Sequence, residues 1–126
     1  HRSILNCPYG WCAITALGHF DHRCGRHIIL WELKLFIQFS HAATIFIPSA
    51  TITHSNIPPA EGDSHISFMQ FFAGGILRWV DNGFQTEKEM AKADPSAYAA
   101  MKAQKAMRWE MGLGLLSTLN EVLEPV

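Results

Sequence analysis

The 126-residue sequence has no long apolar run, no surplus of one charge and no phosphate-loop or nucleophile-elbow motif. Its hydrophobic stretches are short and broken by polar residues, which excludes a membrane-spanning helix. Lys and Arg number 10 against 11 Asp and Glu, so no strong basic field points to nucleic acid, although a local patch can hide in a neutral total. Gly74-Gly75 is not followed by Lys-Ser/Thr and lacks a Gly-x-Gly-x-x-Gly frame, so it reads as a strand end or tight turn. No Gly-x-Ser-x-Gly elbow is present, and Cys12 inside an apolar run reads as a buried, inert thiol. The three cysteines, Cys7, Cys12 and Cys24, cannot all pair with one another. Free thiols imply a reducing, intracellular setting, nucleus or cytoplasm. The chain opens on His-Arg-Ser instead of a methionine and a basic segment. A signal peptide is therefore not expected, and a fragment or trimmed domain is.

What is present describes one globular domain with a modest core, at 48% hydrophobic and 17% charged residues. Residues 1–85 carry most of the β-branched and aromatic side chains, and residues 86–126 much of the charge. Strands are expected within YGWCAITALGHF (9–20), HIILWEL (27–33), KLFIQF (34–39), ATIFIPSATITH (43–54) and HISFMQFF (65–72). Pro48 must sit at a bulge, an edge or a junction of two strands. Alternation at Thr51-Ile52-Thr53 then suggests a strand running into His54. NIPPAEGDS is a turn. Short strands with turns between them suggest an antiparallel sandwich or barrel. Asp94-Pro95 is a helix start, with Asp as N-cap, and a second helical piece is expected to end at Pro125. The domain reading is thus a β core over 1–85 with a helical extension of the same domain over 86–126.

Seven histidines are the chemistry-bearing residues. A non-haem iron site needs two imidazoles and a carboxylate on one face, with positions left open. His-x-Asp at a strand end can supply two ligands, because residues i and i+2 point the same way, and a distant His can supply the third. His1 and His54 are 53 positions apart, room for several strands between them. His54 reads either as such a ligand or as a polar residue where a strand runs out. His19, His22, Cys24 and His27 have zinc-type donors but no knuckle spacing, and Arg23 and Arg26 among them oppose a cation, so an exposed hairpin loop competes with a metal site. Arg78 beside Trp79 could bind an anion or stack on a base, or simply pack its stem on the indole. The Lys and Glu residues of 87–110 read as a solvated helical face.

The succession GWCAITALG, H-IILWELKL, ATI-IPSATITHSN-P, GDS-ISF-QF-AGG and RWVDNGF resembles a known family. It is similar to the Fe(II)- and 2-oxoglutarate-dependent dioxygenase-like domains of mushroom-forming fungi, grouped with the ten-eleven-translocation/J-binding-protein oxygenases that oxidise thymine or 5-methylcytosine. The resemblance implies a mainly β fold, a double-stranded β-helix or jelly roll, incomplete at its N-terminus and followed by C-terminal helices. It also implies Fe(II) and 2-oxoglutarate as cofactors, and DNA or a modified nucleobase as the partner.

Carried onto this chain, the resemblance makes His1 the first iron ligand and His54 the distal one, with Ser3 at the usual Asp position. The pair binding the far carboxylate of 2-oxoglutarate falls on His65, at the usual Arg position, and Ser67. A neutral hydroxyl is a poor substitute for an anionic ligand, and a neutral His offers at most one donor where Arg offers a charged fork. Each lost contact costs on the order of 1.5–3 kcal/mol. Arg26 is a further departure, standing where a second glycine usually precedes His27. The leading strand and the helices that back the barrel are missing from this stretch. The expectation is an oxygenase impaired in this copy; the alternative is a non-catalytic binding module or a decayed pseudoenzyme.

Overall fold

A computed structural model describes residues 1–124. The chain forms two compact units, residues 1–74 and the remainder. Among the described residues there are six strands and five helices, in two small antiparallel sheets that do not close into a barrel. The expectation of a mainly β chain is corrected to a mixed one.

The first unit contains β1 (Cys12–His19), β2 (Ile28–Leu30), β3 (Leu35–Ile37), β4 (Thr44–Ile47), β5 (His54–Asn56) and β6 (Ser64–Gln70). One sheet has the order β4-β1-β6 and the other β3-β2-β5. Strand alternation puts Cys12, Ile14 and Ala16 of β1 on the inner face. There they form one core with Ile28 and Leu30 of β2, Ile47 of β4, and Phe39. This shared apolar layer is what couples the two sheets, since burial of side chains this size stabilises by about 1.5–3 kcal/mol each. The outer face of the first sheet carries exposed Phe46, Ile66 and Phe68.

Two strand expectations change. Pro48 does mark a junction between strands, but no strand runs through 51–53, because β4 ends at Ile47 and the chain turns. The Pro48 carbonyl accepts from the N–H groups of Thr51 and Ile52, and β5 starts only at His54. His54 therefore opens a strand instead of ending one. Trp31 to Lys34 form a turn in place of a strand, with Lys34 at φ 52°.

The second unit is helical: α1 (Gly74–Asp81), α2 (Glu87–Ala93), α3 (Pro95–Lys105), α4 (Arg108–Leu113) and α5 (Leu119–Leu123). Gly74-Gly75 opens a helix and is not a strand end. Asp94 caps α3 as the sequence suggests, accepting from the Ala97 N–H at 2.9 Å. The helix that Asp94-Pro95 starts ends near Ala106, and a separate α4 follows it. Pro125 lies outside the described residues. No helix among them is long and apolar enough to cross a membrane.

Candidate functional site

The segment before β1 is tied down residue by residue. His1 and His54 exchange both backbone hydrogen bonds: the His1 ammonium donates to the His54 carbonyl at 2.9 Å, and the His54 N–H donates to the His1 carbonyl at 3.0 Å. This is the close pair of an antiparallel ladder, in which opposed side chains share a face. The two imidazoles accordingly meet, with ring centroids 4.4 Å apart and planes inclined by 59°.

Further along, the Ser3 N–H donates to the Ser49 carbonyl at 2.8 Å, and the Asn6 side-chain amide donates to the Ser49 hydroxyl at 2.9 Å. Ser49 is buried, so this short segment is anchored in the unit's interior.

Residues 2 and 53 point the other way. There Glu32 accepts from the Thr53 N–H at 2.8 Å, from the Thr53 hydroxyl at 2.6 Å and from Arg2 at 3.1 Å. The Thr53 hydroxyl, and with it the two backbone N–H donors and Arg2, pulls the Glu32 carboxyl down to about 2 despite some desolvation. This exterior clamp fixes the register that faces His1 toward His54.

His54 is 8% exposed. Its Nδ1 lies 3.0 Å from the Ile52 carbonyl oxygen. A carbonyl can only accept, so Nδ1 carries a proton, and in the neutral ring the lone pair is then on Nε2. A carbonyl behind the far ring nitrogen is the usual support of a metal-binding imidazole.

Both rings open onto a cavity of about 610 Å³ within the first unit. Ser3, Ser55, Asn56 and Ser67 add polar groups to its wall, and Cys12, Ile14, Met69 and Phe71 line an apolar side. Of the residues expected to form a site, His1, Ser3, His54 and Ser67 are thus brought to one cavity. His65 is not among its lining. It lies two positions before Ser67 on β6, opposite Gly18 of β1, and meets the Phe20 ring edge-on with centroids 5.0 Å apart.

The fit to iron is partial. Two imidazoles converge, but among the described residues no Asp or Glu lines the cavity. Among the described residues no three His, Cys, Asp or Glu side chains cluster as a metal site would require. Glu32 cannot step in, since its oxygens are committed to Thr53 and Arg2 on the other side of the ladder. A three-ligand iron centre with an anionic member does not fit these residues. The alternative zinc-type set is also not assembled: Cys24 instead donates to the Asp21 carboxylate at 3.4 Å.

Arg78 and Trp79 sit on α1, where Trp79 packs edge-on against Phe84 at 5.0 Å. Compared with family models, curated proteins and solved structures, the chain matches none.

Proposed function

We propose that this chain is a degenerate double-stranded β-helix of the Fe(II)/2-oxoglutarate dioxygenase type, which keeps the ligand cavity but is impaired in oxygenation. The observation that carries the reading is the reciprocal His1–His54 pair, which turns two distant imidazoles to one cavity with no carboxylate beside them.

Topology supports it. A jelly roll has eight strands in two sheets. Here the chain places its strands in the first, second, second, first, second and first sheet in turn. A jelly roll short of its first two strands has this alternation, with the outer edges of β5 and β6 left open. The segment 1–7 pairs at its start with β5 and at its end with the residues that follow β6: His1 pairs with His54, Asn6 bridges to Ala73, and the Cys7 N–H donates to the Phe72 carbonyl.

The chain's own residues then bind and orient without completing the chemistry. The neutral His54 ring offers a lone pair on Nε2, and Cys12, Ile14, Met69 and Phe71 give one side of the cavity an apolar lining. A nucleobase could use such a wall, but the near-neutral charge of the chain lends no support to a DNA partner.

Incubation with Fe(II), ascorbate and 2-oxoglutarate tests the impairment through succinate release. The expected result is no turnover above a protein-free control, and robust turnover contradicts it. A second arm titrates Co(II) into Ser3→Asp and Ser3→Asn. Restoring the charge is expected to tighten binding about tenfold or more over the neutral isostere, as a charged contact is worth about 1.5–3 kcal/mol. Equal affinities for the two variants would remove position 3 from the ligand set.

A further inference from the structure

The helical unit has a cavity of its own, of about 180 Å³, at the junction of α1 and α2. The backbone there explains how it forms. α1 closes with Gly83 at φ 72° and Phe84 at φ 62°, and the Phe84 N–H returns to the Trp79 carbonyl at 2.9 Å. These two left-handed residues turn the chain so that Gln85 and Glu87 line the same cavity as Arg78, Trp79 and Asn82. Phe84 is not a glycine, so its conformation costs energy, and its edge-on contact with the Trp79 ring at 5.0 Å holds it in place.

Asn82 is the one buried polar residue of this unit among the described residues, at 3% exposed, and its Oδ1 has no hydrogen-bond partner. Buried polar atoms are nearly always satisfied, by protein, by water or by a ligand. An amide oxygen only accepts, so its partner must bring an N–H or O–H. Arg78 has the opposite need. Its guanidinium only donates, and it makes no ion pair among the described residues. Glu87 is the third polar group. Its Oε2 accepts from Lys105 at 2.8 Å, and that bond holds the carboxyl below the ordinary range despite some desolvation. The Lys105, Arg78 and Arg108 charges act in the same direction, so Glu87 is ionised near pH 7.

This set selects against simple ions. An anion would face the Glu87 carboxylate and the bare amide oxygen, and a cation would face Arg78. A neutral group that donates and accepts at once satisfies all three, and a hydroxyl is such a group. Trp79, 45% exposed, adds an apolar wall whose electron-rich face suits the C–H bonds of a saturated ring. The cavity is smaller than the roughly 300–1,000 Å³ of drug-sized sites, which limits the occupant to a single ring.

We propose that this cavity binds one pyranose sugar unit through neighbouring hydroxyls, with Asn82 and Glu87 accepting, Arg78 donating and Trp79 against the ring. The last torsion of an asparagine is soft, so a small rotation brings Oδ1 up to the cavity. The site lies in the helical unit and does not depend on the paired-imidazole reading.

The test follows the Trp79 indole N–H and the Asn82 side-chain amide by NMR in the whole chain. Glucose, mannose and galactose are added, each beside its methyl glycoside, with sulfate, methylammonium and cyclohexanol as controls. At least one sugar is expected to saturate both signals, and each control to bind about tenfold more weakly or less. A methyl glycoside that matches its parent sugar assigns the end of a glycan; a clear preference for the parent assigns a free monosaccharide. Arg78→Met, at an exposed position, and Asn82→Leu, of similar size, should each weaken binding by about tenfold or more. Arg78→Met decides the matter if Asn82→Leu does not fold. Saturation by no sugar, a control binding as tightly as the best sugar, or unchanged affinity in either folded variant overturns the proposal.

Discussion

In the β unit eight hydrophobic residues are buried, from Cys7 to Ile47, whereas in the helical unit Met101 is the one among the described residues. The helical unit instead exposes Trp79, Phe84, Trp109 and Leu115. What fixes their limits is local chemistry. Thr86 and Glu89 form a reciprocal capping box at α2, Thr118 and Glu121 repeat it at α5, and Asp94 caps α3. Lys105 reaches back to Glu87 at 2.8 Å, a surface pair of small worth. One unit is therefore specified by burial across two sheets, and the other by residues that satisfy helix ends one at a time.

That contrast can be broken most directly at the β core. Ile28 is 1% exposed and touches both sheets' shared layer. Ile28→Ala is expected to destabilise the unit by about 2–5 kcal/mol in urea denaturation; a change below about 1 kcal/mol would mean that this layer is not a packed core. A cap should cost less. Thr86→Ala removes the hydroxyl that accepts from the Glu89 N–H, and the expected loss is about 1 kcal/mol, read as reduced ellipticity at 222 nm. An unchanged helical signal would show that α2 does not depend on its box.

The smallest effect is electrostatic and is read as a pH dependence. The Glu32 carboxyl lies at about 2 in the folded chain against an ordinary 4.5. A depressed carboxyl contributes stability above the unfolded value, and that contribution fades as pH falls from 4.5 toward 2. Glu32→Gln should therefore lower the urea midpoint slightly at pH 7 and leave it level with the parent near pH 2. A gap that persists at low pH would assign the effect to lost packing and not to charge.

The strands of the first unit were legible because inward residues recur at every second position, as Cys12, Ile14 and Ala16 show. Pro48 marked the junction after Ile47, but its extent was not legible, since Thr51-Ile52-Thr53 has strand composition while the Thr51 and Ile52 N–H groups turn back to the Pro48 carbonyl. Gly74-Gly75 misled in the same way: glycine pairs punctuate chains, and nothing local says that Ile76 to Asp81 will coil behind them.

At the site, residue types and spacing could nominate His1 and His54 only through the resemblance. Their meeting depends on a cross-strand register, held by Glu32 and Thr53, that lies outside both motifs.

The most direct check on the paired-imidazole cavity is a Co(II) titration of the unmodified chain followed through its histidine ring resonances. His1 and His54 should broaden together with one apparent affinity while His65 and His41 stay sharp, because the first two rings lie 4.4 Å apart on one wall. Separate responses from His1 and His54, or broadening at His65 first, would contradict a shared site.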